Sequence, residues 1–126
     1  MIIGRVSERR EATIPLLLRA PDGSFREVEA TIDTGFNHEL TLPPDWVREL
    51  RLQFAASVQA TLAGDVRVYV DYYRAVVKWD GESREVSVLE MEGVPLVGME
   101  LLAFHRLTID VTPAGVVRIE RISENE

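Results

Sequence analysis

A mostly β domain with one or two short helices is the fold this sequence predicts, and three observations carry that prediction. Apolar and polar residues alternate over short runs. Gly, Pro, Asp and Ser punctuate those runs at close intervals, and only two brief segments have helical spacing. At 126 residues the chain suits one hydrophobic core and is too short for two ordinary domains, so a single domain over 1–126 is expected.

The elements follow in chain order. Glu11 to Arg19 is apolar between charged ends, and Pro21-Asp22-Gly23-Ser24 is a turn signal. Phe25 to Ile32 then alternates. Val28, Ala30 and Ile32 share one face with Arg26, and Phe25, Glu27, Glu29 and Thr31 share the other. The two segments make a hairpin, with Pro15 expected at an edge or bulge because it cannot donate to a ladder. Glu39 to Leu42 reads as a short strand. Pro44 to Leu50 reads as a helix, with proline in its first turn, Asp45 near its positive end, and Trp46, Val47 and Leu50 on one side.

Val58 to Leu62 and Val66 to Trp79 are extended, separated by Ala63-Gly64-Asp65. The second run is rich in β-branched and aromatic residues and is long enough to bend or to serve two pairings. Asp80-Gly81 marks the next hairpin turn, before Arg84 to Leu89. Gly98 to His105 has the spacing of a second short helix. Arg106 to Val111 and Val116 to Ile122 close the chain as strands.

Composition narrows the function classes. Hydrophobic residues make up 46% and charged residues 28%, the balance of a globular domain rather than a disordered tail. The formal charge is 14 − 21 = −7, which disfavours polyanion binding. Tyr69, Tyr72, Tyr73 and Trp79 interleave with Arg67, Arg74 and Lys78 as a nucleic-acid stacking platform would, but at that charge sheet packing explains them better. Arg9 and Arg10 read as solubilising. Cysteine is absent, so no disulfide framework or thiolate metal site is expected. His38 and His105 are far apart and no HExxH pattern joins them, so no metal is expected. No G-x-S-x-G elbow or glycine-rich phosphate loop is present. No run approaches the roughly 20 apolar residues of a membrane span, and the N-terminus lacks a signal-peptide layout, so a cytoplasmic protein without membrane contact is expected.

Chemistry concentrates in Ala30-Thr31-Ile32-Asp33-Thr34-Gly35. An acid at the end of an apolar strand is fixed against the core, and the glycine lets a backbone N–H approach its carboxylate. The threonine hydroxyl is available to brace the loop. The tripeptide alone also fits an ordinary strand-ending turn.

Together with Pro95-Leu96-Val97-Gly98, this run resembles the retropepsin-like aspartic peptidases, single-lobed and dimeric, and in particular their small prokaryotic members. The resemblance covers roughly residues 11 to 122. It implies a closed acid-protease β-barrel and an aspartic endopeptidase acting on peptide or protein substrates, with no cofactor. Asp33, Thr34 and Gly35 would form the catalytic loop, with Leu96, Val97 and Gly98 behind it. Phe36 and Asn37 would border the substrate, and Leu62, Ala63, Gly64 and Asp65 would form the flap over it. Phe36 stands where many relatives carry a small residue, and the flap tip holds one glycine.

Such enzymes use two carboxylates sharing one proton. Asp-Thr-Gly occurs once here, and Asp22, Asp45, Asp80 and Asp110 lack its context, so the second Asp33 is expected from a homodimeric partner. By the same analogy, Ile2-Ile3 and Val117 to Ile119 would form the interface sheet. The alternative is a catalytically silent domain of this architecture that binds peptide or protein segments.

Overall fold

The computed structural model describes residues 1–61 and 63–123. Ten strands form one sheet: β1 (Ile2–Val6), β2 (Ala12–Arg19), β3 (Phe25–Ile32), β4 (Leu40–Leu42), β5 (Gln53–Thr61), β6 (Arg67–Trp79), β7 (Glu82–Glu90), β8 (Leu96–Val97), β9 (His105–Ile109) and β10 (Val116–Arg121). One helix, α1 (Pro44–Glu49), and one 3-10 turn, Ala63–Asp65, complete the described elements.

The strand order is β5-β6-β7-β4-β8-β3-β2-β1-β10-β9, with an added β6–β2 pairing. That order corrects the expected closed barrel. Six strands return on themselves as a ring, but β1, β10 and β9 extend from one side of it and β5 from the other. The physical reason lies in β2, whose one edge serves two partners. Thr13 and Ala12 pair with β1, whereas Leu17 and Leu18 pair with β6. Closure therefore covers only the second half of the strand. Pro15 falls between the two pairings, where a missing N–H costs little.

The hairpin of β2 and β3 turns through Pro21–Ser24, where the Asp22 carboxylate accepts from the backbone N–H and the hydroxyl of Ser24. Val28 and Ala30 are buried on the face expected from the alternation. β6 serves three partners: Arg67 to Arg74 lie against β5, Tyr72 to Trp79 lie against β7, and Val77 and Lys78 also pair with β2. Asp80 and Gly81 both take positive φ (52° and 84°), the geometry of a tight hairpin turn. In α1, Pro44 opens the first turn after Pro43, Asp45 pairs with Arg48, and Val47 and Leu50 are buried.

The core gathers Leu16, Leu18, Leu40, Leu42, Val77, Val88, Val97, Leu101 and Ile119 from both halves of the sheet. Burying each such side chain contributes about 1.5–3 kcal/mol before chain entropy opposes it. No helix among the described residues is long and apolar enough to cross a membrane.

The expected helix over Gly98 to His105 is not formed. Leu101 and Leu102 are buried as expected of its apolar side, but residues 99–104 run as successive turns. Phe104 takes a positive φ of 66°, which ends any helical path, and His105 already belongs to β9. His105 is therefore not at a helix C-terminus. Its Nδ1 lies 2.8 Å from the Ala103 carbonyl oxygen, and Trp79 Nε1 donates to its Nε2 at 3.2 Å.

Candidate active site

Topology explains why Asp33 stands where it does. β3 and β8 run parallel, with Thr31 opposite Leu96 and Ile32 opposite Val97, so both strands end at the same edge of the sheet. β4 runs antiparallel beside β8, with Leu40 opposite Val97, and so begins at that edge. The chain from Asp33 to Glu39 must pass over the end of β8 to join β3 to β4. The residue it passes over is Gly98.

The crossing is tightly bonded. The Asp33 N–H donates to the Val97 carbonyl (2.9 Å), and the Gly98 N–H donates to the Glu39 carbonyl (3.0 Å). From the turns beyond β8, the Met99 N–H donates to the Phe36 carbonyl (2.8 Å) and the Glu100 N–H to the His38 carbonyl (3.3 Å). A Cβ on Gly98 would lie 2.1 Å from the His38 carbonyl oxygen and 2.6 Å from the Phe36 ring, so only glycine admits this approach. Below the crossing, the Thr41 hydroxyl, itself buried, accepts from the Leu96 N–H at 2.9 Å. The Glu39 carboxylate holds the far end of the loop to β7, accepting from Ser87 N–H at 3.0 Å and from Arg84 at 3.2 Å.

Within the loop, the Gly35 N–H donates to Asp33 Oδ1 at 2.9 Å, and the Phe36 N–H donates to the Asp33 carbonyl at 3.1 Å. A side chain on Gly35 would bring its Cβ within 3.3 Å of the same carboxylate oxygen. Asp33 is half-buried, Thr34 and Gly35 are exposed, and among the described residues the Thr34 hydroxyl makes no hydrogen bond. Asp33 and Thr34 line a groove of about 440 Å3 whose opposite wall includes Arg10, Ile109 and Val111.

The candidate residues are thus brought together unequally. Asp33, Thr34, Gly35, Phe36, Leu96, Val97 and Gly98 form one bonded cluster, whereas Asn37 is exposed at its rim. The flap candidates Ala63, Gly64 and Asp65 form the tip of the β5–β6 hairpin, with Gly64 at φ 76°, and none of them lines the groove. Leu62 lies outside the described residues.

Three residues with a place at the site escaped the sequence reading. Arg10 looked like one of two solubilising arginines, but the turn between β1 and β2 holds it at φ 61°, and it lines the Asp33 groove. Tyr72 looked like sheet packing alone. Its hydroxyl stands 3.4 Å from His38 Nδ1, and the His38 ring also meets Phe36 at 5.5 Å between centroids. The β5–β6 hairpin therefore touches the loop that carries Asp33. Burial, and secondarily Glu100, push the Tyr72 phenol above its ordinary value. Ile109 looked like closing strand. No local sequence signal distinguishes these three, because each acts through a long-range contact.

Among the described residues no group of three or more His, Cys, Asp or Glu side chains is placed to hold a metal ion. Ile2, Ile3 and Val117 to Ile119 pair with one another within the chain, and Val117 and Ile119 are fully buried.

The fold that results is retropepsin-like. The chain is similar to a solved structure of EIAV protease complexed with the inhibitor HBY-793, at a TM-score of 0.52 and 19% sequence identity, covering 75% of this chain and 88% of that one. At that identity the likeness establishes the fold, and it does not extend to the narrower placement among small prokaryotic members. No protein-family model matches the chain, and no curated protein matches it.

Proposed function

We propose that two copies of this chain form one aspartic endopeptidase, with an Asp33 from each copy at a shared site. The observation that carries this reading is the Asp33 carboxylate itself. Backbone bonds to Val97 and Gly35 fix it at a strand end, facing a groove, in a fold of the aspartic-protease type.

Two such carboxylates side by side cannot both ionise comfortably, so the pair holds one proton between them. The ionised Asp33 takes a proton from water as its oxygen attacks the scissile carbonyl carbon. The protonated Asp33 gives its proton to the carbonyl oxygen, leaving a neutral gem-diol. Collapse returns a hydroxyl proton to one carboxylate, the leaving nitrogen takes a proton from the other, and the C–N bond breaks. The dyad ends with one proton, as it began. The β5–β6 hairpin lies over an extended peptide and excludes water, and Phe36 and Asn37 border the chain it holds.

The test is cleavage of a diverse peptide library from acid to neutral pH by the native protein and by Asp33→Asn. Discrete cuts that fall about a thousandfold or more in the variant are expected. Cuts that persist in the variant sink the mechanism. Peptide binding without cleavage by either protein would instead indicate a silent recognition domain.

A further inference from the structure

The edge of β6 that β5 and β2 share has a gap in it. Pairing with β5 ends at Arg74, opposite Gln53, and pairing with β2 begins at Val77, opposite Leu18. Ala75 and Val76 therefore have no ladder partner on that edge, while both pair with β7 on the other. Adjacent residues of a strand turn their backbone groups to opposite edges, so one of the two directs its N–H into the gap.

The gap opens into a cavity of about 230 Å3 between the end of β2, the segment leaving α1, and β6. Three guanidinium groups line it, those of Arg19, Arg51 and Arg74, against the single carboxylate of Glu85. Arg74 pairs with Glu85 at 2.9 Å. Arg19 lies over the Phe25 ring at 6.0 Å, and among the described residues neither Arg19 nor Arg51 meets a carboxylate. Ala20, Leu50 and Ala75, all buried, give the cavity an apolar floor, against which charges interact more strongly than in open water. A chain of net charge −7 thus gathers a surplus of two positive charges at one small opening.

Arg51 stands there under strain. After α1, the Leu52 N–H donates to the Val47 carbonyl at 3.2 Å and the Arg51 N–H to the Arg48 carbonyl at 3.1 Å, the paired bonds of a Schellman cap. Arg51, at the turning point, takes φ 48°, the left-handed region where glycine is the ordinary occupant. An arginine kept at such a position, with no carboxylate beside it, points to a use outside the chain.

We propose that this cavity binds a small tetrahedral oxyanion of the phosphate class. Guanidinium groups present paired N–H donors that match the oxygens of such an anion, and the unpaired β6 edge adds a backbone donor. The volume lies below the roughly 300–1,000 Å3 of cavities that enclose drug-sized ligands, so a free ion fits and a nucleotide does not. Gln53 opens β5 and Arg74 belongs to β6, so an anion there bridges the root of that hairpin to β2 and to the end of α1.

The site is separate from the Asp33 groove. The two share no lining residue, and Phe25 and Asp33 stand at opposite ends of the eight-residue β3, about 25 Å apart. Anion binding therefore stands or falls independently of the peptidase reading.

Inorganic phosphate titrated into the native protein, followed by amide NMR shifts at constant ionic strength with chloride as the balance, reads the site directly. Saturable shifts should centre on Arg51, Gln53, Ala75 and Val76, with a dissociation constant of about 1 mM or tighter. Replacing both Arg19→Gln and Arg51→Gln should weaken binding about tenfold or more, whereas Arg118→Gln, on β10, should leave it unchanged. Arg51→Gly gives a second readout that misfolding cannot imitate. Glycine relieves the strain, so this variant should melt at least as high as the native protein without phosphate, yet gain less from its addition. The proposal is overturned by the absence of saturable shifts, by shifts that chloride reproduces, or by a double arginine variant that binds like the native protein. An Arg51→Gly protein that gains as much from phosphate as the native one overturns it equally.

Discussion

Gly98 lies directly beneath His38: a Cβ added to it would stand 2.1 Å from the His38 carbonyl oxygen. The contact exists because the loop carrying Asp33 must cross the end of β8 to reach β4. Two backbones meet there with no room for a methyl group.

Gly98→Ala should therefore act on the loop and the fold together. Neither the His38 nor the Phe36 carbonyl can move without breaking the bond it accepts from Glu100 or Met99, so the substitution should cost about 3 kcal/mol. Thermal unfolding should show the loss, and activity should fall beyond what the unfolded fraction explains. Unchanged stability would mean the crossing is looser than described.

Thr34 offers an exposed hydroxyl that no group among the described residues uses. The proposed dimer, with facing Asp33 loops, would have it bond across the interface. Thr34→Val should leave the monomer's fold intact and remove one hydrogen bond per subunit, each worth about 1 kcal/mol. Sedimentation at graded concentration should show the dimer constant weakened roughly tenfold or more.

At the hairpin tip, Gly64 takes φ 76° in open space, so a substitution there meets no neighbour but strains the backbone. Gly64→Val should cost about 1–2 kcal/mol in that local conformation. Nothing lies within 4 Å of a Cβ added at Gly64, so melting should change little while kcat/KM falls. A parallel loss of stability would mean the tip is packed.

Tyr72 carries a pH dependence on the alkaline side. Burial first, and Glu100 second, raise its pKa above the ordinary value of 10.0. A folded-state pKa above the unfolded value makes the protonated phenol a source of stability that is present below pH 10.0 and lost as pH climbs through the folded value. Ultraviolet titration of Tyr72→Phe should lack one phenol that ionises above 10.0 in the native protein. Its stability should also fall less steeply on the alkaline side.

How much of this was legible in the sequence depended on the range of the interaction. The β2–β3 hairpin, α1 and the use of β6 in more than one pairing rest on alternation, turn residues and length, all local signals. Asp33 was legible as a candidate because it ends a short apolar strand before a glycine, whereas Gly98 was singled out only through the family resemblance. Closure was not legible: the division of one β2 edge between β1 and β6 is a long-range choice, and it leaves the ring with open arms instead of a closed barrel. The segment from Gly98 to His105 has helical spacing, but Phe104 at φ 66° ends it within two turns, and so short a run does not settle into a helix. Arg10, Tyr72 and Ile109 reach the site only through distant chain contacts, which no pattern within their own segments reports.

The central claim is that one active site needs Asp33 from two chains, and mixed dimers test it most directly. Native and Asp33→Asn subunits, co-folded in equal amounts and assayed on a peptide the native protein cleaves, should retain about a quarter of the activity of the same total native protein, because only native pairs are active. Retention of about half would mean that each chain works alone, and would contradict the shared dyad.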